Sequence, residues 1–198
     1  SKAAMEEKQD TIYTTLNTVC RLVIPRNMSV NIENTYGNVY LGDMGGTVNV
    51  RVTNGALHAH SVTGVNNTID VDMGIGKSTI GHLRSASISG YTSDISIASA
   101  VDVSIRDCGN VEIAYGKDVR VFKTSDLLKI GTVDGLTGRV AKTSIDIAAI
   151  SGNSDIELRS CENVNIGAVS CRQGELIKIV ANDSRLSAML STESYNLR

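Results

Sequence analysis

Residues 104–113 read SIRDCGNVEI and residues 157–166 read ELRSCENVNI, with the Arg, the Cys, the Asn-Val and the closing Ile in the same places. Such an echo asks whether a shorter unit runs between the copies, because a fixed period is the mark of a repeat architecture. One does. Pairs at i and i+2 recur as Val39/Leu41, Leu57/Ala59, Ser78/Ile80, Ile95/Ile97, Val111/Ile113, Leu128/Ile130, Ile145/Ile147, Val164/Ile166 and Leu186/Ala188. A second series precedes it by half a unit: Val30/Ile32, Val48/Val50, Ile69/Val71, Ala86/Ile88, Val101/Val103, Val119/Val121, a weak Gly138/Val140, Ile156/Leu158 and Ile177/Ile179.

Alternation with period two is the pattern of a strand with one buried face. Between the pairs stand turn formers such as Gly45-Gly46, Asn54-Gly55 and Asp134-Gly135. A hairpin meander gives no reason for a fixed two-strand period, whereas a β-solenoid makes each period one coil. The expected fold is therefore all-β: a single-domain β-solenoid (β-helix) of about nine two-strand coils, a rod roughly 40 Å long at ~4.8 Å per coil. Its narrow interior suits Val and Ile, in keeping with a chain of no Trp and one Phe. Residues 1–25 and 191–198 break the pattern. The first segment, with TIYTTLNTVCRLVIP at 11–25, is expected to be an N-terminal tail and β cap, the last a C-terminal tail, and 26–190 the repeat domain.

Composition narrows the function classes. The formal net charge is −2 and no basic run stands out, which argues against nucleic acid as a partner. No window reaches the ~18 continuous apolar residues of a membrane span. The glycine-rich DVDMGIGKST at 70–79 resembles a phosphate cradle. The cradle, however, needs Gly-x-x-x-x-Gly-Lys-[Ser/Thr] opening a helix. Val71 stands where the first Gly belongs, and TIGHLRSASISG at 79–90 has no helical period, so Met73 to Lys77 is read as a turn and no nucleotide is expected.

Cofactors and metals are not expected either. By parity His58 and His60 point outward while His82 shares the inward parity of Ile80 or begins a turn, so the three are not expected to share a face. Asp70, Asp72 and Asp102 face outward, and Glu33, Arg51 and Asp72 are expected to stack in one column of alternating sign, a solvated ladder rather than a catalytic pair. No nucleophile motif is present. Cys108 and Cys161 fall in equivalent turns three coils apart, ~14 Å at the coil spacing and beyond the ~7 Å between Cα atoms that a bridge tolerates. The expectation is no enzyme.

The segment VIPRNMSVNIENTYGNVYLGDMGGTVNVRVTNGALHAHSVTG at 23–64 resembles the bacterial adhesin family of short β-repeat domains, and is similar to the head domains of autotransporter adhesins. The carriers are the Ile-Pro before the first coil, NIENTYGNVYLGD and the NGALHA turn and strand. The resemblance implies a β-solenoid without enzymatic activity that is secreted, periplasmic or on the cell surface, its signal or lipid anchor removed. It carries over no functional residues. The expected function is binding of a glycan or protein through the outer faces, with Tyr36, Tyr40, His58, His60 and Tyr91 as contact residues. Two alternatives stand beside it: a self-assembling scaffold, since the period also resembles that of the cytoskeletal bactofilins, and a carbohydrate-active enzyme of the β-helix kind.

Overall fold

The computed structural model describes residues 19–190 and contains no helix among them. The strands are β1 Val30–Asn34, β2 Val39–Met44, β3 Val48–Thr53, β4 Leu57–Val62, β5 Asn67–Asp72, β6 Lys77–Ser89, β7 Asp94–Ala141, β8 Ser144–Ile150, β9 Ser154–Arg159, β10 Val164–Val169, β11 Ile177–Asn182 and β12 Leu186–Leu190. Every pairing is parallel. Each element lies on the one a coil further along, so β1 pairs β3 and β2 pairs β4, and the chain winds through about nine coils as a single β-solenoid. The 48-residue β7 is extended chain that passes round several coils without leaving the sheet.

Two arms make each coil. Arm A carries the column Leu57, Ser78, Ile95, Val111, Leu128, Ile145 and Val164, and beside it Ala59, Ile80, Ile97, Ile113, Ile130, Ile147 and Ile166, all buried. Arm B stacks Val50, Ile69, Ile88 and Ile105 in register. Aliphatic side chains stacked at the strand spacing bury one another continuously, which is the main force holding a solenoid together.

The arm A series expected from the sequence is in register throughout. The arm B series is not: it slips by one inward pair where Val50 meets Ile69 and Val52 meets Val71, and a corner residue displaces it again at Val101. After Ile80 the next buried side chain is Leu83, and after Ile97 it is Ala100, a step of three that inverts parity. Val101 therefore faces out, 37% exposed, and the inward pair of that coil is Val103/Ile105 rather than Val101/Val103. His82 is exposed for the same reason, not inward. The column beside Arg51 also shifts: Glu33 and Asp70 oppose it, Arg51 lying 3.5 Å from Asp70, while Asp72 opposes Thr53.

The corner from arm B to arm A holds one left-handed residue per coil: Asn54, Met73, Thr92, Asp107, Lys123, Lys142, Ser160 and Asp183. Its N–H donates to the carbonyl just before the equivalent residue of the next coil, as Asn54 to Asp72, Met73 to Tyr91, Lys142 to Arg159 and Ser160 to Asn182. Asn and Asp tolerate this conformation, whereas β-branched Thr92 is strained by it. The next position turns inward and stays small: Gly55, Gly74, Ser93, Cys108, Thr124, Thr143, Cys161, Ser184. Side chains there bond along the stack, with Ser93 Oγ donating to the Val71 carbonyl at 2.6 Å and the Gly74 N–H donating to Ser93 Oγ at 3.0 Å. Cys108 and Cys161 do occupy equivalent turns, buried and free, while Cys20 and Cys171 are exposed.

Arm B changes length along the rod. Four positions separate Ile88 from Thr92, but only two separate Ile105 from Asp107 and Val121 from Lys123. Coils five and six are therefore cut short. Gly138 lies where the longer coil resumes, and a Cβ there would stand 2.1 Å from the Val121 carbonyl oxygen, which explains a glycine in a column of Ile and Val.

At the ends the ladders stop: β1 pairs only β3, β2 only β4, β11 only β9 and β12 only β10 among the described residues. Of the expected N-terminal cap, residues 11–18 lie outside the described residues, as do 1–10 and 191–198. The described remainder, 19–25, forms no strand: Val19, Leu22 and Val23 are exposed, and Ile24 alone packs against the core.

Candidate functional site

Outward side chains in a solenoid stack as regularly as inward ones, so sites are columns rather than sequence motifs. On arm A, Tyr40, His58, Thr79 and Ser96 form one outer column in parallel register. The rings of Tyr40 and His58 stack with centroids 5.0 Å apart and planes 23° apart. Tyr40 is 72% exposed, so this stacking leaves an aromatic surface open to solvent. The His58 ring nitrogen Nδ1 lies 2.9 Å from Thr79 Oγ1, which fixes the ring against the next coil.

One residue-pair further along arm A, His60 Nδ1 lies 2.6 Å from Asp43 Oδ1, and this contact holds the Asp43 carboxyl below its ordinary value. At the adjoining corner His82 Nδ1 meets Ser99 Oγ at 2.7 Å. His58 and His60 thus face outward on arm A and His82 is exposed at the corner rather than turned inward, each engaged with a different neighbour. No cluster of three His, Cys, Asp or Glu side chains suited to a metal forms among the described residues.

Beside the Tyr40–His58 column runs a shallow trough of ≈ 650 Å³. Its floor is Gly81, Ala98, Ala114 and Gly131, and His60, Thr79, Ser96, Glu112 and Lys129 rise along it. The small floor residues have a steric cause. A Cβ at Gly81 would stand 2.4 Å from the His60 carbonyl oxygen, and one at Gly131 2.4 Å from that of Ala114. Glu112 pairs with Lys77, which holds its carboxyl below the ordinary range. Lys77 is the lysine of the glycine-lysine stretch, and Met73 to Gly76 ahead of it is the turn joining β5 to β6, with no helix after it.

The expected contact residues separate into two places. Tyr40, His58 and His60 come together on arm A. Tyr36 lies at the neighbouring corner of the first coil, 77% exposed. Tyr91, 68% exposed, stands at the same corner three coils on, ~14 Å away at the coil spacing. There it lies near Lys123, on the edge where Arg106 is laid over the Phe122 ring. That second group is hidden in the linear sequence because its members are scattered along the chain, although one coil period added to Arg106 reaches Phe122 and another reaches Arg139.

Comparison of the chain with known protein families, with curated proteins and with solved structures returns no match.

Proposed function

We propose that this chain is a non-enzymatic interaction protein, secreted, periplasmic or on the cell surface, that binds a glycan or protein ligand on the outer face of arm A. The observation that carries the reading is the exposed Tyr40–His58 stack beside a trough with a small-residue floor. An open aromatic face with hydroxyl, imidazole and carboxylate groups one coil apart suits a ligand that is apolar on one side and rich in hydroxyls at its edges. The resemblance of residues 23–64 to bacterial adhesin repeats supports the same reading. The test is binding of the purified chain to an array of bacterial and host glycans, with and without calcium. The expected result is a saturable hit that Tyr40→Ala weakens at least tenfold while the variant stays folded, its melting point lowered only slightly. A hit untouched by Tyr40→Ala and His58→Ala removes the arm A site, and a blank array moves the search to protein ligands.

The single-sided pairing of β1, β2, β11 and β12 favours a second reading, a scaffold that grows by end-to-end addition. Light scattering on dilution tests it: a mass that falls with concentration supports assembly, and a constant monomer mass excludes it.

A further inference from the structure

Arm B gathers charge that the linear sequence disperses. Over coils five to eight its outer face and corner carry Arg106, Arg120, Lys123, Arg139, Lys142 and Arg159, against the carboxylates Asp102, Asp107, Asp118, Asp155 and Glu157. Arg120 pairs with Asp102 at 2.6 Å and Lys123 with Asp107 at 2.7 Å. Glu157 is shared between Arg139 at 3.0 Å and Arg159 at 2.5 Å, which holds its carboxyl below the ordinary range. The two signs nearly balance over this face, and Arg120, Lys123, Arg139 and Arg159 are all taken up in pairs.

Arg106 stands apart within this group. It makes no ion pair among the described residues, and its guanidinium carbon lies 5.6 Å from the centre of the Phe122 ring. Phe122, the one phenylalanine of the chain, is 37% exposed on this face rather than in the core. The shortening of arm B in coils five and six sets Arg106 and Phe122 directly before the corner, with Tyr91 of coil four on the same edge. Tyr91 lies near Lys123 on that edge. The result is a guanidinium laid on an aromatic ring, with further cations and a tyrosine around it.

We infer that this step on arm B is a binding site for an acidic polysaccharide, the Arg106 fork taking a sugar carboxylate and the Phe122 and Tyr91 rings taking the C–H faces of the sugars. Coil spacing adds a second match, since Arg106 and Arg139 stand two rungs apart with Phe122 on the rung between, ~10 Å or about the length of two sugar rings. The inference rests on the interaction-protein reading but not on the arm A site.

Affinity electrophoresis through polygalacturonate, heparin and neutral dextran, with a single-stranded oligothymidylate in solution as competitor, tests it. Retardation by polygalacturonate is expected, weakened at least tenfold by Arg106→Ala and by Phe122→Ala, the latter without any change of charge. Tyr40→Ala is expected to leave it unchanged, and Arg106→Lys to restore it in part only. Both positions are exposed, and thermal melts verify that the variants fold. Retardation by heparin alone reassigns the acid group from carboxylate to sulfate within the same site. Equal retardation in dextran, full binding by Phe122→Ala, or displacement by the oligonucleotide at lower concentration than by free oligogalacturonate overturns the inference. Loss of binding in Tyr40→Ala alone overturns it too, while leaving the arm A site standing.

Discussion

Arms A and B are built alike inside and differently outside. Inward, both are columns of Val, Ile and Leu. Outward, arm A offers a stacked Tyr40–His58 pair and a floor of Gly and Ala, whereas arm B is a ladder of ion pairs from Glu33, Arg51 and Asp70 to Arg139, Glu157 and Arg159. The difference teaches that the coil tolerates almost any outer side chain that fits the local backbone. The inner residues fix the fold, and the outer ones are free to specialise by face.

The sharpest way to break that comparison is to cut the core of each arm in turn. Ile97 on arm A and Ile105 on arm B are both buried on all sides. Ile97→Ala and Ile105→Ala should each destabilise by about 2–5 kcal/mol in urea unfolding. Near-equal losses confirm that the arms share one core. A loss in only one would mean that the other arm is merely laid against it.

Backbone approach comes next in size. Gly138→Ala sets a methyl against the Val121 carbonyl at the step where arm B lengthens, and should cost about 1–3 kcal/mol. On the outer face of arm A, a methyl added at Gly42 would meet nothing within 4 Å, so Gly42→Ala should be close to neutral in the same assay.

The corner thiols report on the interior that the arms share. Burial pushes Cys108 up to about 12 from an ordinary 9.0. In native protein a thiol reagent at pH 8 should therefore label Cys20 and Cys171 and spare Cys108 and Cys161, all four reacting once the chain is unfolded. The raised value belongs to the folded state, so the contribution of Cys108 to stability is complete below pH 9.0 and is lost as pH climbs toward about 12. Cys108→Ala should flatten that alkaline decline, and an unchanged decline would place its cause elsewhere.

Much of this architecture is legible in the sequence, and the failures are losses of register. The period, the arm A register, the turn at Met73–Lys77 and the equivalence of Cys108 with Cys161 follow from alternation counted along the chain. Parity fails at corners, where Ile80 to Leu83 and Ile97 to Ala100 take three steps, and where arm B loses two residues after Ile105. Those events displace Val101 and His82, while Arg51 meets Asp70 rather than Asp72 because Val50 pairs with Ile69 and not with Val71. The outer clusters are least legible, because Arg106, Phe122 and Arg139 become neighbours only when the register is known residue by residue.

The smallest effects separate the two outer faces by physical type. Arg51 is 58% exposed in its pairing with Asp70, and exposed pairs contribute under about 1 kcal/mol. Arg51→Ala should therefore cost less than that, and the cost should vanish near 1 M salt, where the Debye length is ~3 Å. Tyr40→Ala on arm A removes an exposed ring stack of similar size, of the order of 0.5 kcal/mol. Its cost should survive the same salt, because stacking and apolar contact are not screened. If both losses respond alike to salt, the two faces are held by the same forces, and the division between an aromatic arm A and an electrostatic arm B loses its physical basis.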